Sequence, residues 1–253
     1  MESSNPVLKR GYQVATTTSE LDNLYSAPAA SSARTGRMTM DDVVARTGFL
    51  FAVLVTAGAV AWTGKLDALM LPAVLGAFIF AMVLSFSKTV KPWAAVAYAA
   101  LEGIALGVIS HVYESNYPGI VSQALIGTIG AFVGILFAYK TKRIRVTEKF
   151  NRMMGAALIG YLVVGLASFV ASLFGMNQGF GFYKPHSSLA LLLCVAGVGL
   201  ATFFLVVDFD QIEKMIAAGA PHEEAWRAGF GLMVTVVWLY MEVLRLLSIL
   251  RDR

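Results

Sequence analysis

Charge is the scarcest commodity in this chain. Only 14% of its 253 residues are Asp, Glu, Lys or Arg, where an ordinary soluble domain has about 25%. A soluble domain of this length would need far more polar surface, so that class is excluded. There is one cysteine, Cys194, which excludes a disulfide scaffold. What the chain has instead is apolar: 57% of residues are hydrophobic and the mean hydropathy is +0.68. That excludes disorder for most of its length. The net charge of +4 does not point to nucleic acid, because the basic residues are placed as a membrane protein places them.

The few charges divide the chain into long uncharged runs. Residues 47–64, 68–87, 115–139, 153–183 and 185–207 carry none. Residues 92–113 are interrupted only by Glu102 and His111, and residues 228–250 only by Glu242 and Arg245. A helix needs about 20 residues to cross the hydrocarbon, so seven segments qualify. None alternates as the strands of a membrane barrel do. The prediction is an all-α polytopic membrane protein, with a seven-helix domain over 42–253. The Gly/Asn/Gln-rich end of the fifth run is expected to be loop. Residues 1–41 are rich in Ser, Thr and Ala without a hydrophobic run, which predicts a disordered tail and no signal peptide. The segment Thr39–Asp42 reads as a helix cap followed by acids in the first turn.

With the N-terminus inside, 13 of the Lys and Arg residues flanking these segments fall on the inner side and 4 on the outer. That bias predicts a cytoplasmic N-terminus. The basic loop after helix 4 marks the same face and lies near anionic lipid. The last segment is long enough to cross, although its two final basic residues, Arg251 and Arg253, would also suit a re-entrant path.

Acids inside a bilayer need a reason, because each costs at least about 2.5 kcal/mol on insertion scales. Glu102 lies near the middle of helix 3, just before Gly103-Ile-Ala-Leu-Gly107, whose small residues allow close helix approach. It reads either as a protonatable cation ligand or as a neutral acid in a helix contact. Glu242 and Arg245 share one face of helix 7. They read as a local pair that neutralises charge, or as a carboxylate facing a polar interior. Asp208 and Asp210 near the end of helix 6 point about 200° apart, so one faces inward and the other toward solvent. Gly130-Ala-Phe-Val-Gly134 reads as a helix-packing stripe, and Cys194 as a small packing residue. His111, His186 and His222 fall on different sides and cannot share a metal. Helix 7 has no lysine for a retinal Schiff base. No nucleophile–base pair or metal set points to an enzyme or a resident cofactor.

The runs Leu205-Val-Val-Asp-Phe-Asp-Gln-Ile-Glu213, Trp238-Leu-Tyr-Met-Glu-Val-Leu-Arg-Leu-Leu247 and Tyr98-Ala-Ala-Leu-Glu-Gly103 resemble helices 6, 7 and 3 of the Bax inhibitor-1 family. Ser3–Leu8 and Thr39–Val44 are similar to its bacterial branch, which implies a bacterial cytoplasmic membrane. The resemblance implies six helices around a central, more polar seventh, and a pH-sensitive calcium leak. It also implies that Asp208 hydrogen-bonds an acid on helix 7, matched here by Glu242, and that a basic residue at the inner end of helix 2, here Lys88, can pair with the acids. Helix 7 carries Glu where many members have Asp, and Lys88 stands where Arg is frequent. Contact between Asp208 and Glu242 requires helix 6 to continue toward Glu213 and helix 7 to begin near Pro221–Trp226, above the bilayer.

These readings lead to a cation leak gated by a carboxyl pair that titrates as a unit, with calcium held transiently by Asp208 and Glu242. Two other functions fit the composition. One is a proton-coupled transporter, disfavoured by the lack of an internal repeat. The other is a non-transporting regulator that binds a membrane protease or another membrane-protein partner.

Overall fold

Among the described residues seven α-helices follow one another, one on each of the seven apolar runs. The structure, a computed structural model, describes residues 36–143, 146–174 and 188–252. The helices are α1 (Met40–Thr63), α2 (Met70–Phe86), α3 (Pro92–Asn116), α4 (Ile120–Lys140), α5 (Glu148–Leu173), α6 (Ser188–Ala217) and α7 (Glu224–Arg251). All seven, α2 with its preceding 3-10 turn, are long and apolar enough to cross a bilayer. Among the described residues there is no strand, only a single bridge between Arg37 and Pro221. The expected disordered tail lies, up to residue 35, outside the described residues, and so does the expected loop after α5. Arg37–Arg253 make one compact unit. It begins before the expected residue 42, because Met38 is 2% exposed and its amide bonds the Ala220 carbonyl at 2.8 Å.

The start of α1 follows its sequence. Thr39 and Asp42 form a capping box, the Asp42 amide donating to the Thr39 hydroxyl at 3.3 Å and the Thr39 amide to the Asp42 carboxylate at 3.0 Å. The first helical amides need such partners. Thr39→Ala is expected to lower unfolding stability by about 1 kcal/mol, measured by denaturation in mixed micelles.

Odd-numbered helices begin at one end of the bundle, here called the basic end. There α6 continues nine residues past Asp208 and stops at Gly219, whose φ of +71° suits a residue without a side chain. The Ala220 amide then bonds the Met215 carbonyl at 3.0 Å, closing the helix end. Pro221 follows and α7 starts. Arg46 of α1 clasps this turn, donating to the His222 carbonyl at 2.6 Å and lying 5.5 Å over the Trp226 ring.

At the far end α7 is fixed to the α3–α4 turn. Arg251 donates to the Pro118 carbonyl at 2.8 Å, and the Tyr117 hydroxyl to Asp252 at 2.6 Å. The Asp252 carboxylate pushes Tyr117 up to about 12, so the phenol keeps its proton and this bond at any physiological pH. With both ends placed, α7 crosses the whole bundle. Its 28 residues form one unbroken helix of about 42 Å, long enough for the full crossing.

α7 is also the centre. It packs against α6, α1, α4 and α3, and its buried residues run from Ala225 to Ile249. α2 packs chiefly along α3, and α5 chiefly along α6.

α1 and α3 make the closest approach. A Cβ on Gly103 would overlap the Leu54 carbonyl, and one on Gly107 would overlap the Gly58 backbone. The small-residue spacing in α3 therefore does what it predicts. The same spacing at Gly130 and Gly134 does not: nothing lies within 4 Å of either Cβ position, so that face of α4 is open rather than packed.

Candidate functional site

α6 and α7 lie side by side, and each carries an acid into their contact. The two acids do not meet. Asp208 has Thr235 as its side-chain hydrogen-bonding neighbour, while the Thr235 hydroxyl also reaches back to the Gly231 carbonyl at 3.3 Å. Asp208 Oδ2 is buried without a partner. It opens on a cavity of about 260 Å³ at the basic end, between α2, α6 and α7, lined by Ser85, Gln211 and Arg227 among others.

Glu242 sits much further along. It is 7% exposed. Its Oε1 accepts from the Tyr161 hydroxyl of α5 at 2.6 Å and from the Trp238 indole one turn back at 3.2 Å. Its Oε2 is buried without a hydrogen-bond partner, close against Gly197 of α6. From Gly197 to Asp208 is 11 residues of α6, about 16 Å of rise. From Thr235 to Glu242 is 7 residues of α7, about 10 Å.

The expected Asp208–Glu242 hydrogen bond is therefore absent. The conditions set for it are met, since α6 runs to Ala217 and α7 starts at Glu224. The axial offset decides the matter, because the residue of α7 level with Asp208 is Thr235.

Lys88 also differs from expectation. Its side chain is exposed and, among the described residues, makes no ion pair with an acid. Its backbone is what is used: the Lys88 carbonyl accepts from Arg227 of α7 at 2.6 Å. Arg227, rather than Lys88, is the cation on the wall of the Asp208 cavity.

Asp210 settles which acid faces outward. It pairs with Lys214 one turn on, at 2.6 Å, while the Asp208 oxygen is buried. Glu102 has Tyr98, one turn earlier in the same helix α3, as its hydrogen-bonding neighbour, a bond within one helix and not across a contact between two. Arg245, three residues after Glu242 in α7, lies on the same side of the helix. Cys194 is wholly buried against Ala190 and Ile249, in keeping with a packing role.

Three contributors went unread in the sequence, and a fourth was read only as a charge. Tyr161 and Gly197 reach Glu242 from other helices, and no local spacing announces that. Thr235 is one of several hydroxyl residues in apolar helices. Arg227 was visible as a charge three residues after the start of α7, a signal of position but not of partner.

A seven-helix membrane bundle whose central helix carries a buried acid is the class these features define. The chain matches the family described as Bax inhibitor 1 like over residues 5–252 and belongs to it. It is thus an integral membrane protein. It is also similar to a protein of Chlamydia muridarum (strain MoPn / Nigg) described only as uncharacterized, with 26% identity over 158 residues, 62% of this chain. The match spans 56% of that relative's length.

Proposed function

We propose that this family member is a cation leak whose flux depends on proton binding to carboxyls of α6 and α7, with calcium as a permeant ion. The observation that carries this reading is the pair of unpartnered oxygens, Asp208 Oδ2 and Glu242 Oε2. A buried polar atom without a partner costs about 1–3 kcal/mol, so stability alone does not account for two of them. Oxygens of this kind bind hard cations. Their offset along α6 and α7 makes them successive stations, not one shared site. A carboxyl carries charge only when ionised, so each station's hold on a cation changes with pH. In this reading the basic end, and the Asp208 cavity with it, faces the cytoplasm of a bacterial cell, with the charge bias supporting the orientation.

Calcium flux into proteoliposomes, followed from about pH 5 to pH 8, tests the reading. Wild-type flux is expected to change across the series. Asp208→Asn and Glu242→Gln should each lower the flux and flatten its pH response. Wild-type flux and pH response in both variants would refute it.

A further inference from the structure

α1 packs on α3 and α7, and α4 packs on α7 and α6. Between α1 and α4, floored by α3 and α7, runs a cavity of about 500 Å³. Its walls are almost wholly apolar, and none of its lining residues is charged. Its mouth faces the bilayer, where Val55 of α1 and Ile129 of α4 are 62% and 61% exposed on the rim.

Two hydroxyls meet inside it. Ser110 of α3 and Tyr240 of α7 lie 2.7 Å apart, and they are only 6% and 8% exposed. Each hydroxyl carries one proton. One proton makes the bond between them; the other has no acceptor among the described residues. The threonines of the same wall have used theirs, Thr128 on the Ala124 carbonyl at 2.8 Å and Thr63 on the Ala59 carbonyl at 2.9 Å. A buried donor without an acceptor is costly, and an Ala–Phe pair in these places would avoid that cost.

The spare proton sets the chemistry of a ligand. It calls for one uncharged acceptor, since no charged residue lines the cavity to hold a charged one. A water molecule would accept the proton but leave the apolar volume unfilled. A lipid carbonyl does the first and its chain the second. Depth narrows the class. Ser110 lies six residues before the end of α3, about 9 Å along its axis. With the helix centred on about 30 Å of hydrocarbon, that is about 5 Å below the edge. A charged headgroup holds the ester carbonyls of a phospholipid above this level; a lipid without one sinks to it.

We propose that this cavity binds a neutral glyceride lipid, of the diacylglycerol kind, which enters sideways from the bilayer between α1 and α4. Its ester carbonyl accepts the spare proton of the Ser110–Tyr240 pair, and one acyl chain lies inward along Leu54 and Phe51. Neither Asp208 nor Glu242 lines this cavity, and the proposal does not depend on the leak reading.

The full chain in phosphatidylcholine nanodiscs tests it with two photoprobes that share a diazirine-tipped acyl chain, one a diacylglycerol and one a phosphatidylcholine. The diacylglycerol is expected to mark α1 and α4 near Phe51 and Ile129, and excess unlabelled diacylglycerol should suppress the mark severalfold. Ser110→Ala with Tyr240→Phe removes both hydroxyls together and should weaken that competition about fivefold, the worth of one neutral hydrogen bond. Ile129→Trp narrows the mouth from an exposed position, leaves both hydroxyls in place and should abolish the mark. Equal and equally competed marking by the phosphatidylcholine probe would overturn the proposal, because any acyl chain then fits. So would an unchanged competition in the double variant, or α1 and α4 left unmarked, as when a second copy covers the mouth. Should the double variant not fold, marking that survives Ile129→Trp overturns the proposal by itself.

Discussion

Gly107→Ala is expected to be among the most damaging single-methyl additions in this protein, destabilising it by about 3 kcal/mol or more. Ala is the better helix former by about 1 kcal/mol, so local propensity predicts the opposite sign. The added Cβ decides the outcome, because it would lie inside the Gly58 backbone of α1. Backbone cannot rotate away as a side chain can, so the two helices must separate along their length. Their separation uncovers Leu50 and Leu54, which are buried in the largest apolar cluster. Gly103→Ala should behave alike, since its Cβ would overlap the Leu54 carbonyl. Gly130→Ala is the control. It meets nothing within 4 Å and should be neutral or slightly stabilising. Reversible unfolding in mixed micelles measures all three, and a wild-type midpoint for Gly107→Ala would refute the close contact.

Gly197→Ala is expected to act by displacing an acid. The new Cβ would sit 2.6 Å from Glu242 Oε2 and 2.5 Å from the Tyr161 hydroxyl. Glu242 must move, and its bond to Tyr161 is lost. That bond carries α5 past its neighbour α6 to the central helix, so the damage should concentrate in α5. A loss of about 2 kcal/mol is expected, the cost of a broken bond to a buried charged or polar partner. Hydrogen exchange should show faster exchange in α5 while α1 and α3 keep their protection. Tyr161→Phe should reproduce the α5 effect more weakly. A double-mutant cycle of Tyr161→Phe with Glu242→Gln should give a coupling of about 1 kcal/mol. Additive effects with unchanged α5 exchange would show that the bond holds nothing.

Much of the fold is legible in the sequence because charge is costly in hydrocarbon. Each interval between charged residues had to be a span, and the turns fell where Lys, Asp, Pro and Gly stand. The cap at Thr39 and the close approach at Gly103 and Gly107 are local patterns, readable from a few residues. The limit shows at Gly130 and Gly134, where the same spacing faces open space: small residues permit an approach but do not say whether a helix is there to make it. The candidate site shows a second limit. Helical periodicity fixes the direction in which Asp208 and Glu242 point, but not their relative height. Height depends on how far two helices slide past one another, and that is set by contacts such as Arg46 with His222 and Arg251 with Pro118. A resemblance in motif supplied the pair; the offset between helices removed it and put Thr235 opposite Asp208. The partners of Glu242 come from helices 81 and 45 residues earlier, at Tyr161 and Gly197, a separation no local pattern spans.

The position of α7 bears on how the protein is made. It occupies the middle of the bundle yet leaves the ribosome after the other six helices. Until it arrives, the faces of α1, α3, α4 and α6 that will surround it have no mate, and Glu242 is not yet there for Tyr161. Biogenesis must therefore hold a ring open for its own hub, and a chain stalled before α7 would offer the quality-control machinery an unfilled, lipid-facing hollow.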